Sequence, residues 1–473
     1  MILNSDELTG FVHLPSSAVR SPAFARDCGK TKAAPAVVRN PAGLFLGNNV
    51  HNEESIPVRL TPEQRVRHTH IIGITGTGKS TLLFNLICQD IENGEGVGVL
   101  DPSGDLIDRI LGVIPERRIK DVILVNPSDT DYPIAFNILQ APTEKERKLL
   151  ASDLVSVLRR LTESWGVQID VVLRNAILAI MESSPSATLS DLRRFLAEKD
   201  YRRKIIKALP KGEVEYFWQE VFPHLPGGKS IGSVLTRLHT FLGHESIRLM
   251  VAQPENRLNF GSIMDSRKIF LAKLPEGLMD PEDSYLFGSL LVSKFQQVAM
   301  ARQEKIESER PDFWLYIDEF DNFISPSMAG ILSKTRKYRL GLTLAHHTLH
   351  QLQADKSVAS AVMSNPATRI VFRVGDDDAK KLADDFTSFE ARDFKNLENG
   401  QAICRVERSD FDFNLSIPLP ASLDANAAAA RRQEVITASR KEYGTARADI
   451  EAISPELQKE KQAAAIRVVA HSM

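Results

Sequence analysis

Two stretches of the chain alternate short apolar runs with longer segments that have helical spacing. Between residues 51 and 140 the apolar runs predict four strands, and between 262 and 420 they predict six more, the last two as a hairpin. This alternation is typical of an α/β protein whose sheet is mainly parallel and covered on both faces. The predicted strands are residues 56–60, 71–72, 97–100, 122–125, 269–272, 313–317, 340–345, 369–374, 402–407 and 411–417.

A helical stretch separates the two α/β parts. Between residues 141 and 261 strand-like runs are absent, and Leu150, Leu154 and Leu158 recur at helical spacing. We therefore predict an all-α domain inserted into the α/β domain. The predicted organisation is an N-terminal arm with one short strand (1–50), the first α/β part (51–140), the inserted all-α domain (141–261), the second α/β part (262–420), and a C-terminal helix with a tail (421–473).

The predicted insertion carries clusters of basic residues, which allow two interpretations. They contact a phosphate backbone, or they form ordinary solvated helix faces. Four aromatic residues of the same stretch are interpreted as core side chains rather than platforms for stacked bases. The basic residues are Arg159, Arg160, Arg193, Arg194, Arg202, Arg203, Lys204, Lys207 and Lys211, and the aromatic residues are Trp165, Tyr216, Phe217 and Trp218.

Composition narrows the class of protein. The chain has 473 residues, 43% of them hydrophobic and 25% charged, which is typical of globular proteins. Its formal net charge of −2 excludes a globally basic surface, so any contact with nucleic acid is expected to be local. No apolar run has the length of a membrane span, and the three cysteines lack metal-type spacing, so we expect a reduced, cytoplasmic protein.

Residues 73–80 fit the pattern G-x-x-x-x-G-K-[ST] of loops that bind nucleotide phosphates. A short apolar run precedes the pattern and a helical periodicity follows it, which is the strand–loop–helix context the motif requires. The glycines let backbone N–H groups converge on one anion, and the helix that follows directs its positive end to the same place. The candidate nucleotide-binding residues are Gly73, Thr75, Gly76, Thr77, Gly78, Lys79, Ser80 and Thr81.

Two acids follow the apolar run 313–317 and are the predicted partners of this loop. Lys79 is expected to reach the β- and γ-phosphates of ATP, while Ser80 and Asp318 are expected to hold Mg²⁺. Glu319 is the candidate for the acid that polarises the attacking water. The alternative is an ordinary pair of acids at a strand end. Asp101 also ends a predicted strand, where it faces the ligand crevice or caps a turn or helix.

A strand that ends at His346 and His347, and a basic segment before it, complete the set of candidates. His347 is a candidate for contact with the γ-phosphate or its water, although such a histidine pair is often structural. Arg336 is a candidate for an arginine that acts on a neighbouring subunit's nucleotide. Its alternative is a basic helix terminus that complements the helix dipole.

Five ordered motifs resemble those of the conjugative DNA-transfer ATPases, the coupling proteins of type IV secretion, which belong to the FtsK/HerA superfamily of DNA pumps. The resemblance implies a RecA-like P-loop core, with Lys79, Ser80, Asp318 and Glu319 in the roles given above and Arg336 acting in trans. Arg369 and Arg373 are the alternatives to Arg336. The motifs are RHTHIIGITGTGKS (67–80), DPSGD (101–105), YIDEF (316–320), RKYRLGLTLAHH (336–347) and TRIVFRVG (368–375).

The chain departs from the pattern of these relatives at two positions. Many relatives have glutamine where this chain has His347 and histidine where it has Ser103. Many coupling proteins also carry N-terminal membrane helices, which this sequence does not contain. We therefore expect either a soluble relative or a protein that depends on a partner for docking at the inner face of the membrane.

The resemblance implies an ATP- and Mg²⁺-dependent DNA translocase that assembles into a ring, with six subunits expected. Its implied partners are DNA and either a relaxase or other components of type IV secretion. Two alternatives remain open. One is a HerA-like motor for DNA processing or defence that works with a partner nuclease. The other is an assembly ATPase of a secretion system that acts on proteins and does not contact DNA.

Overall fold

The computed structural model describes residues 29–141, 143–160, 165–225, 232–251, 253–275, 280–422 and 424–453. The first 28 residues of the predicted arm and the predicted tail from 454 onward lie outside these ranges. Among the described helices, none has both the length and the apolar character that crossing a membrane requires.

One sheet organises the described residues. Its eleven strands follow the spatial order β2-β1-β11-β10-β9-β3-β8-β7-β4-β6-β5. All ten strands predicted from the sequence are present, with shifts of a few residues at their ends. In chain order the strands are β1 Leu44–His51, β2 Glu54–Leu60, β3 Thr69–Ile72, β4 Gly96–Asp101, β5 Val122–Val125, β6 Ile269–Lys273, β7 Phe313–Ile317, β8 Leu340–His346, β9 Thr368–Val371, β10 Gln401–Val406 and β11 Asp412–Ser416.

The seven strands from β9 to β5 are mutually parallel, which confirms the predicted mainly parallel α/β fold. They are almost entirely buried, as expected when helices cover both faces of a parallel sheet. β10, β11, β1 and β2 extend the sheet in antiparallel pairs. We expected residues 1–50 to form an arm with one short strand. The strand is β1, and it belongs to the main sheet through its pairing with β2 and β11.

Helices fill both faces of the sheet and the region between β5 and β6. The helices within the described ranges are α1 Pro62–Arg65, α2 Lys79–Glu92, α3 Asp105–Leu111, α4 Glu144–Arg160, α5 Val167–Ser183, α6 Leu189–Ala197, α7 Lys199–Ala208, α8 Glu213–Tyr216, α9 Gly232–Gly243, α10 Glu245–Val251, α11 Phe260–Asp265, α12 Pro281–Ala301, α13 Pro326–Lys334, α14 Lys356–Ser364, α15 Asp376–Ala383, α16 Ala391–Lys395, α17 Ala425–Tyr443 and α18 Arg447–Ile453.

The sheet separates two hydrophobic cores. α2, α3 and α17 cover one face, while α12, α13 and the helices between β5 and β6 contribute to the core on the other. The long helix α12 begins at Pro281, because the Asp280 carboxylate accepts a hydrogen bond from the Glu282 amide at 3.2 Å and proline fits the first turn. The helical insertion shares its core with the sheet domain, since α4 packs against α12 as well as α5.

A buried polar cluster joins α2 to β7, the strand before the two acids. The Arg65 guanidinium donates to both Asp90 carboxylate oxygens at 2.8 and 2.6 Å and stacks 3.6 Å from the centre of the Trp314 ring. The Tyr316 hydroxyl donates to the same carboxylate at 2.5 Å. These charges are fully buried and fully paired, so they fix α2 against the sheet in one arrangement.

Candidate nucleotide-binding site

The phosphate loop connects β3 to α2 at the carboxyl edge of the parallel strands, as its sequence predicts. Gly76 and Gly78 have φ angles of +77° and +121°, which side chains with a Cβ rarely adopt. At Gly73 a Cβ atom would lie 2.5 Å from Cβ of Phe372, so only glycine fits between β3 and the residue after β9.

Residues that flank strands β9 and β10 hold the loop in place by backbone hydrogen bonds. The Ile74 amide donates to the Arg373 carbonyl at 2.9 Å, and the Gly400 amide donates to the Thr77 carbonyl at 2.8 Å. The side chain of Thr77 is buried, whereas Thr75, Gly76 and Ser80 are exposed and Thr81 is half-buried. The open side of the loop therefore faces solvent, at the start of α2, where an anion would be favoured.

Lys79 is buried in the loop and has polar contacts from two sides. Its ammonium donates to the Gly73 carbonyl at 2.6 Å and lies 3.0 Å from Nδ1 of His347. Burial lowers the pKa of Lys79, while the carboxylates of Asp318 and Glu319 act in the opposite direction. The loop lysine and the two predicted acids therefore share one pocket.

Asp318 directly follows β7 and lies next to the phosphate loop. One of its carboxylate oxygens lies 3.5 Å from the Ser80 hydroxyl, and the other accepts the Glu319 amide at 3.0 Å. Burial, together with the carboxylates of Asp101 and Glu319, raises the pKa of Asp318 from 3.8 to about 6. A cation would relieve this repulsion, and Ser80 and Asp318 supply the oxygen ligands that Mg²⁺ prefers. The residues present therefore fit a Mg²⁺–nucleotide complex.

Glu319 turns the chain away from β7 in an unusual backbone conformation. Its φ of +45° is rare for a residue with a side chain, and such strain is concentrated at functional sites. The half-exposed carboxylate lies 3.4 Å from Nε2 of His347. His347 thus stands between the loop lysine and the second acid, because β8 lies between β3 and β7 in the sheet.

The sequence analysis did not identify Gln351 and Asp321, which together hold the backbone of His347 and Thr348 in place. The Gln351 side-chain oxygen accepts the amides of His347 and Thr348 at 3.1 and 2.9 Å, and its amide group donates to Asp321 at 2.7 Å. The capping pattern T-x-x-Q at 348–351 was the available signal.

For Asp101, the structure shows the capping role that the sequence left open. Its carboxylate accepts the Ser103 amide and hydroxyl at 3.0 and 2.8 Å and the Ile107 amide at 3.0 Å, at the start of α3. Ser103 therefore closes a turn with Asp101. The same carboxylate is near enough to Asp318 to raise its pKa.

The three candidate arginines lie in different places. Arg336 is exposed in the turn before β8, at the opposite end of that strand from His347, so roughly 20 Å of strand separates them. Within the described residues its guanidinium has no ion-pair partner. Arg369 is fully buried and paired with Asp385. Arg373 lies beside its own phosphate loop and donates to the Leu397 carbonyl at 3.3 Å and to Asn399 at 3.2 Å.

Several basic residues of the helical insertion form hydrogen bonds or ion pairs within the protein. Arg202 donates to the carbonyls of Phe195 and Leu196 at 3.0 and 3.1 Å, so it caps the end of α6. Arg159 and Arg194 form ion pairs on the surface. Exposed lysines without an ion pair among the described residues remain on and after α7, at positions 204, 207 and 211.

The core interpretation holds for three of the four aromatic residues of the insertion. Phe217 and Trp218 are buried, and Trp165 is half-buried and packs against the same hydrophobic core. Tyr216 is 57% exposed, so the interpretation was wrong there. It lies on the outward side of the turn that buries Phe217 and Trp218.

The strand order and the loop after β3 define the class: a RecA-like P-loop fold with an all-helical insertion. In sequence, residues 54–220 match the family model described as the type IV secretion-system coupling protein DNA-binding domain. No curated protein sequence matches the chain significantly.

Solved structures agree with this class. The plasmid coupling protein TrwB, in complex with the non-hydrolysable GTP analogue GDPNP, has a TM-score of 0.59 at 16% identity, over 78% of this chain and 90% of TrwB. TrwB in complex with ADP and Mg²⁺ gives 0.58 at 16% identity over the same shares of the two chains. VirB4 of Thermoanaerobacter pseudethanolicus gives 0.58 at 13% identity, over 82% of this chain and 99% of VirB4.

These similarities confirm the resemblance to type IV secretion coupling proteins that the ordered motifs indicated. At such low identities the solved structures establish the shared fold, and the family model supplies the sequence relation over residues 54–220.

The raised pKa of Asp318 generates the first prediction. Because the pKa of Asp318 is higher in the folded protein than in the unfolded chain, ionising this carboxyl destabilises the folded state. The destabilisation is absent below about pH 4, where the carboxyl is protonated in both states, and complete above about pH 6. Asp318→Asn should therefore stabilise the ligand-free protein by about 3 kcal/mol at pH 8, and the gain should fade as the pH is lowered from 6 to 4. Thermal melting at several pH values measures this difference.

Saturating Mg²⁺ and ATP provide the control for this prediction. They should raise the melting temperature of the wild type more than that of Asp318→Asn, because the variant lacks the anionic ligand. Equal melting temperatures of the ligand-free proteins at pH 8 would show that Asp318 is not under electrostatic strain.

Proposed function

We propose that the protein is an ATP-hydrolysing motor that moves DNA, with ATP bound at the interfaces of a ring. One observation carries the proposal. Lys79, Ser80, Asp318, Glu319 and His347 converge at one edge of the sheet although up to 268 positions separate them in sequence.

Each of these side chains has a separate role in the proposed hydrolysis. Bound ATP would supply the phosphoryl group to be transferred, and Mg²⁺ would offset its charge. Lys79 binds the terminal phosphates, and Ser80 with Asp318 holds the cation. Glu319 orients the attacking water and takes its proton, a role that its half-exposed carboxylate at the pocket mouth suits. His347 lies between Lys79 and Glu319, within 3.0 and 3.4 Å of them, where it would be close to the γ-phosphate or its water.

A ring is proposed because one candidate arginine cannot serve its own site. Arg336 is exposed and lies across the sheet from the phosphate loop, so a second subunit is needed to bring it to a nucleotide. Arg369 is excluded from this role by its burial and its pairing with Asp385. Arg373 is placed for a role in its own subunit. Six subunits are expected from the resemblance.

DNA is the proposed cargo for two reasons. The matching family model describes a DNA-binding domain, and Lys204, Lys207 and Lys211 form an exposed basic surface on the helical insertion. We propose that residues 51–140 and 262–420 work as the motor while 141–261 contacts DNA. The proposed setting is the cytoplasm, with partners such as a relaxase or secretion components providing any contact with the membrane.

The first prediction from this proposal concerns hydrolysis. Glu319→Gln should bind ATP as tightly as wild type but hydrolyse it about 10² to 10⁴ times more slowly, because the water loses its base. Lys79→Ala should lose ATP binding. Nucleotide binding and phosphate release, measured on the same preparations, separate the two effects, and full turnover by Glu319→Gln would assign the base to another residue.

The second prediction concerns Arg336. Arg336→Ala should lower ATPase activity of the assembled ring by about 10³-fold, as for other arginines that act in trans. Mixing it with Glu319→Gln subunits should restore part of the activity, since some interfaces then combine an intact Arg336 with an intact Glu319. Lys337→Ala, which removes the adjacent exposed cation, is the matched control. Absence of rescue at every mixing ratio would contradict the trans assignment.

The third prediction tests the cargo. Single- or double-stranded DNA should stimulate ATP hydrolysis, and Lys204→Glu with Lys207→Glu should abolish the stimulation while leaving the rate without DNA unchanged. Lys380→Glu with Lys381→Glu, two exposed lysines of α15, is the matched control. Mass determination with ATP bound gives the size of the ring.

Two outcomes of this experiment would change the proposal. Hydrolysis that is indifferent to DNA would favour the assembly ATPase that acts on proteins. DNA stimulation that survives the charge reversal would place the DNA contact elsewhere. A nuclease gene beside this one, in place of secretion genes, would favour the HerA-like motor.

A further inference from the structure

Two buried histidines face each other behind the candidate site. His70 lies on β3 and His346 ends β8, and both are fully buried. Their Nε2 atoms are 2.7 Å apart, and the rings meet edge to edge with centroids 5.0 Å apart and planes inclined by 24°. Neither ring contacts the open pocket, so the proposed hydrolysis leaves the pair without a role.

The contacts fix which nitrogen of each ring carries hydrogen. Nδ1 of His346 lies 2.9 Å from the Thr348 carbonyl, which can only accept, so this nitrogen must be the donor. In a neutral ring Nε2 of His346 is then an acceptor. His70 must therefore donate from its Nε2, and its Nδ1 is left as a buried acceptor that has no partner among the described residues.

Both rings are held neutral. Burial is the main cause that lowers the pKa of each histidine, and Arg369 adds to the effect on both. The pKa of His346 falls to about 3. Protonation of both rings would place two donors face to face, so the hydrogen bond requires that at least one ring stay neutral.

The chain of hydrogen bonds leads to His347. His70 orients His346, and His346 fixes the carbonyl of Thr348, the residue directly after His347. Gln351 binds the amides of His347 and Thr348 from the other side. The backbone of His347 is therefore held between two sets of hydrogen bonds while its ring reaches Lys79 and Glu319.

We infer that His70 and His346 are positioning residues, which set the place of the His347 ring between Lys79 and Glu319 through a single chain of directed hydrogen bonds. They are separate from the groups that would touch the nucleotide. The inference rests on the proposed ATP hydrolysis for its kinetic consequence, but the hydrogen-bond order itself is a property of the ligand-free protein.

Amide side chains test the inference because asparagine can replace Nδ1 of histidine and glutamine can replace Nε2. His346→Asn keeps a donor for the Thr348 carbonyl and loses only the acceptor for His70, so kcat should fall by no more than about threefold. His346→Gln loses that donor and should lower kcat by about tenfold to a hundredfold with KM for ATP nearly unchanged, because the reacting groups are misplaced but binding is kept. If His346 served packing alone, His346→Gln would have a higher kcat than His346→Asn, since glutamine fills more of the volume of histidine.

His70 provides the complementary pair of variants. The side chain of His70→Gln can still donate to Nε2 of His346, whereas that of His70→Asn is too short. At position 70 the glutamine variant should therefore have the higher kcat, the opposite of the order at position 346. Melting temperatures show whether each variant is folded. The same order at both positions, or equal activity of the two amides at each, would overturn the inference.

Nitrogen-15 NMR of histidine-labelled protein gives a readout that does not need hydrolysis. The wild type should show protonated Nδ1 for His346 and protonated Nε2 for His70, and the His347 ring signals should move further in His346→Gln than in His346→Asn. The opposite tautomers, or unmoved His347 signals, would contradict the inference. Absence of ATP hydrolysis by the wild type would instead refute the proposed function, and the NMR comparison would still decide the positioning role.

Discussion

The buried ammonium of Lys79 is the interaction on which the candidate site depends. It donates to the carbonyl of Gly73 in its own loop and lies against His347 from β8, while the carboxylates of Asp318 and Glu319 counteract the effect of its burial. A cation in this position is stable only where carbonyls and carboxylates surround it. The buried Asp318 carboxylate is destabilised by the neighbouring carboxylates, and a bound cation would offset this repulsion. The pocket therefore favours a ligand that brings phosphates and a metal together.

The order of strands makes this arrangement possible. The phosphate loop follows β3, the two acids follow β7, and β8 lies between these strands. Parallel strands deliver their carboxyl ends to the same edge of the sheet, so three segments far apart in sequence meet there. The buried Arg65–Asp90–Tyr316 cluster ties α2, which follows the loop, to the strand that precedes the acids. The helical insertion between β5 and β6 then adds length between loop and acids without separating them.

Much of this could be predicted because it is encoded locally. The pattern around Lys79, the apolar run before Asp318 and the cap at Asp280 each depend on neighbours in sequence, and local rules suffice for them. The position of β8 between β3 and β7 follows from long-range pairing, which periodicity does not report. For the same reason the sequence did not distinguish the structural Arg202 from the free Lys204, or the exposed Tyr216 from the buried Trp218. The role of Gln351 also depended on a partner, Asp321, that is distant in sequence.

The most direct test of the account is a structure of the protein with Mg²⁺ and a non-hydrolysable ATP analogue. The account predicts that the terminal phosphate lies between Lys79 and Glu319, and that Ser80 ligates the metal with Asp318 nearby. A nucleotide bound elsewhere, or a phosphate on the loop with both acids turned away from it, would contradict the central claim.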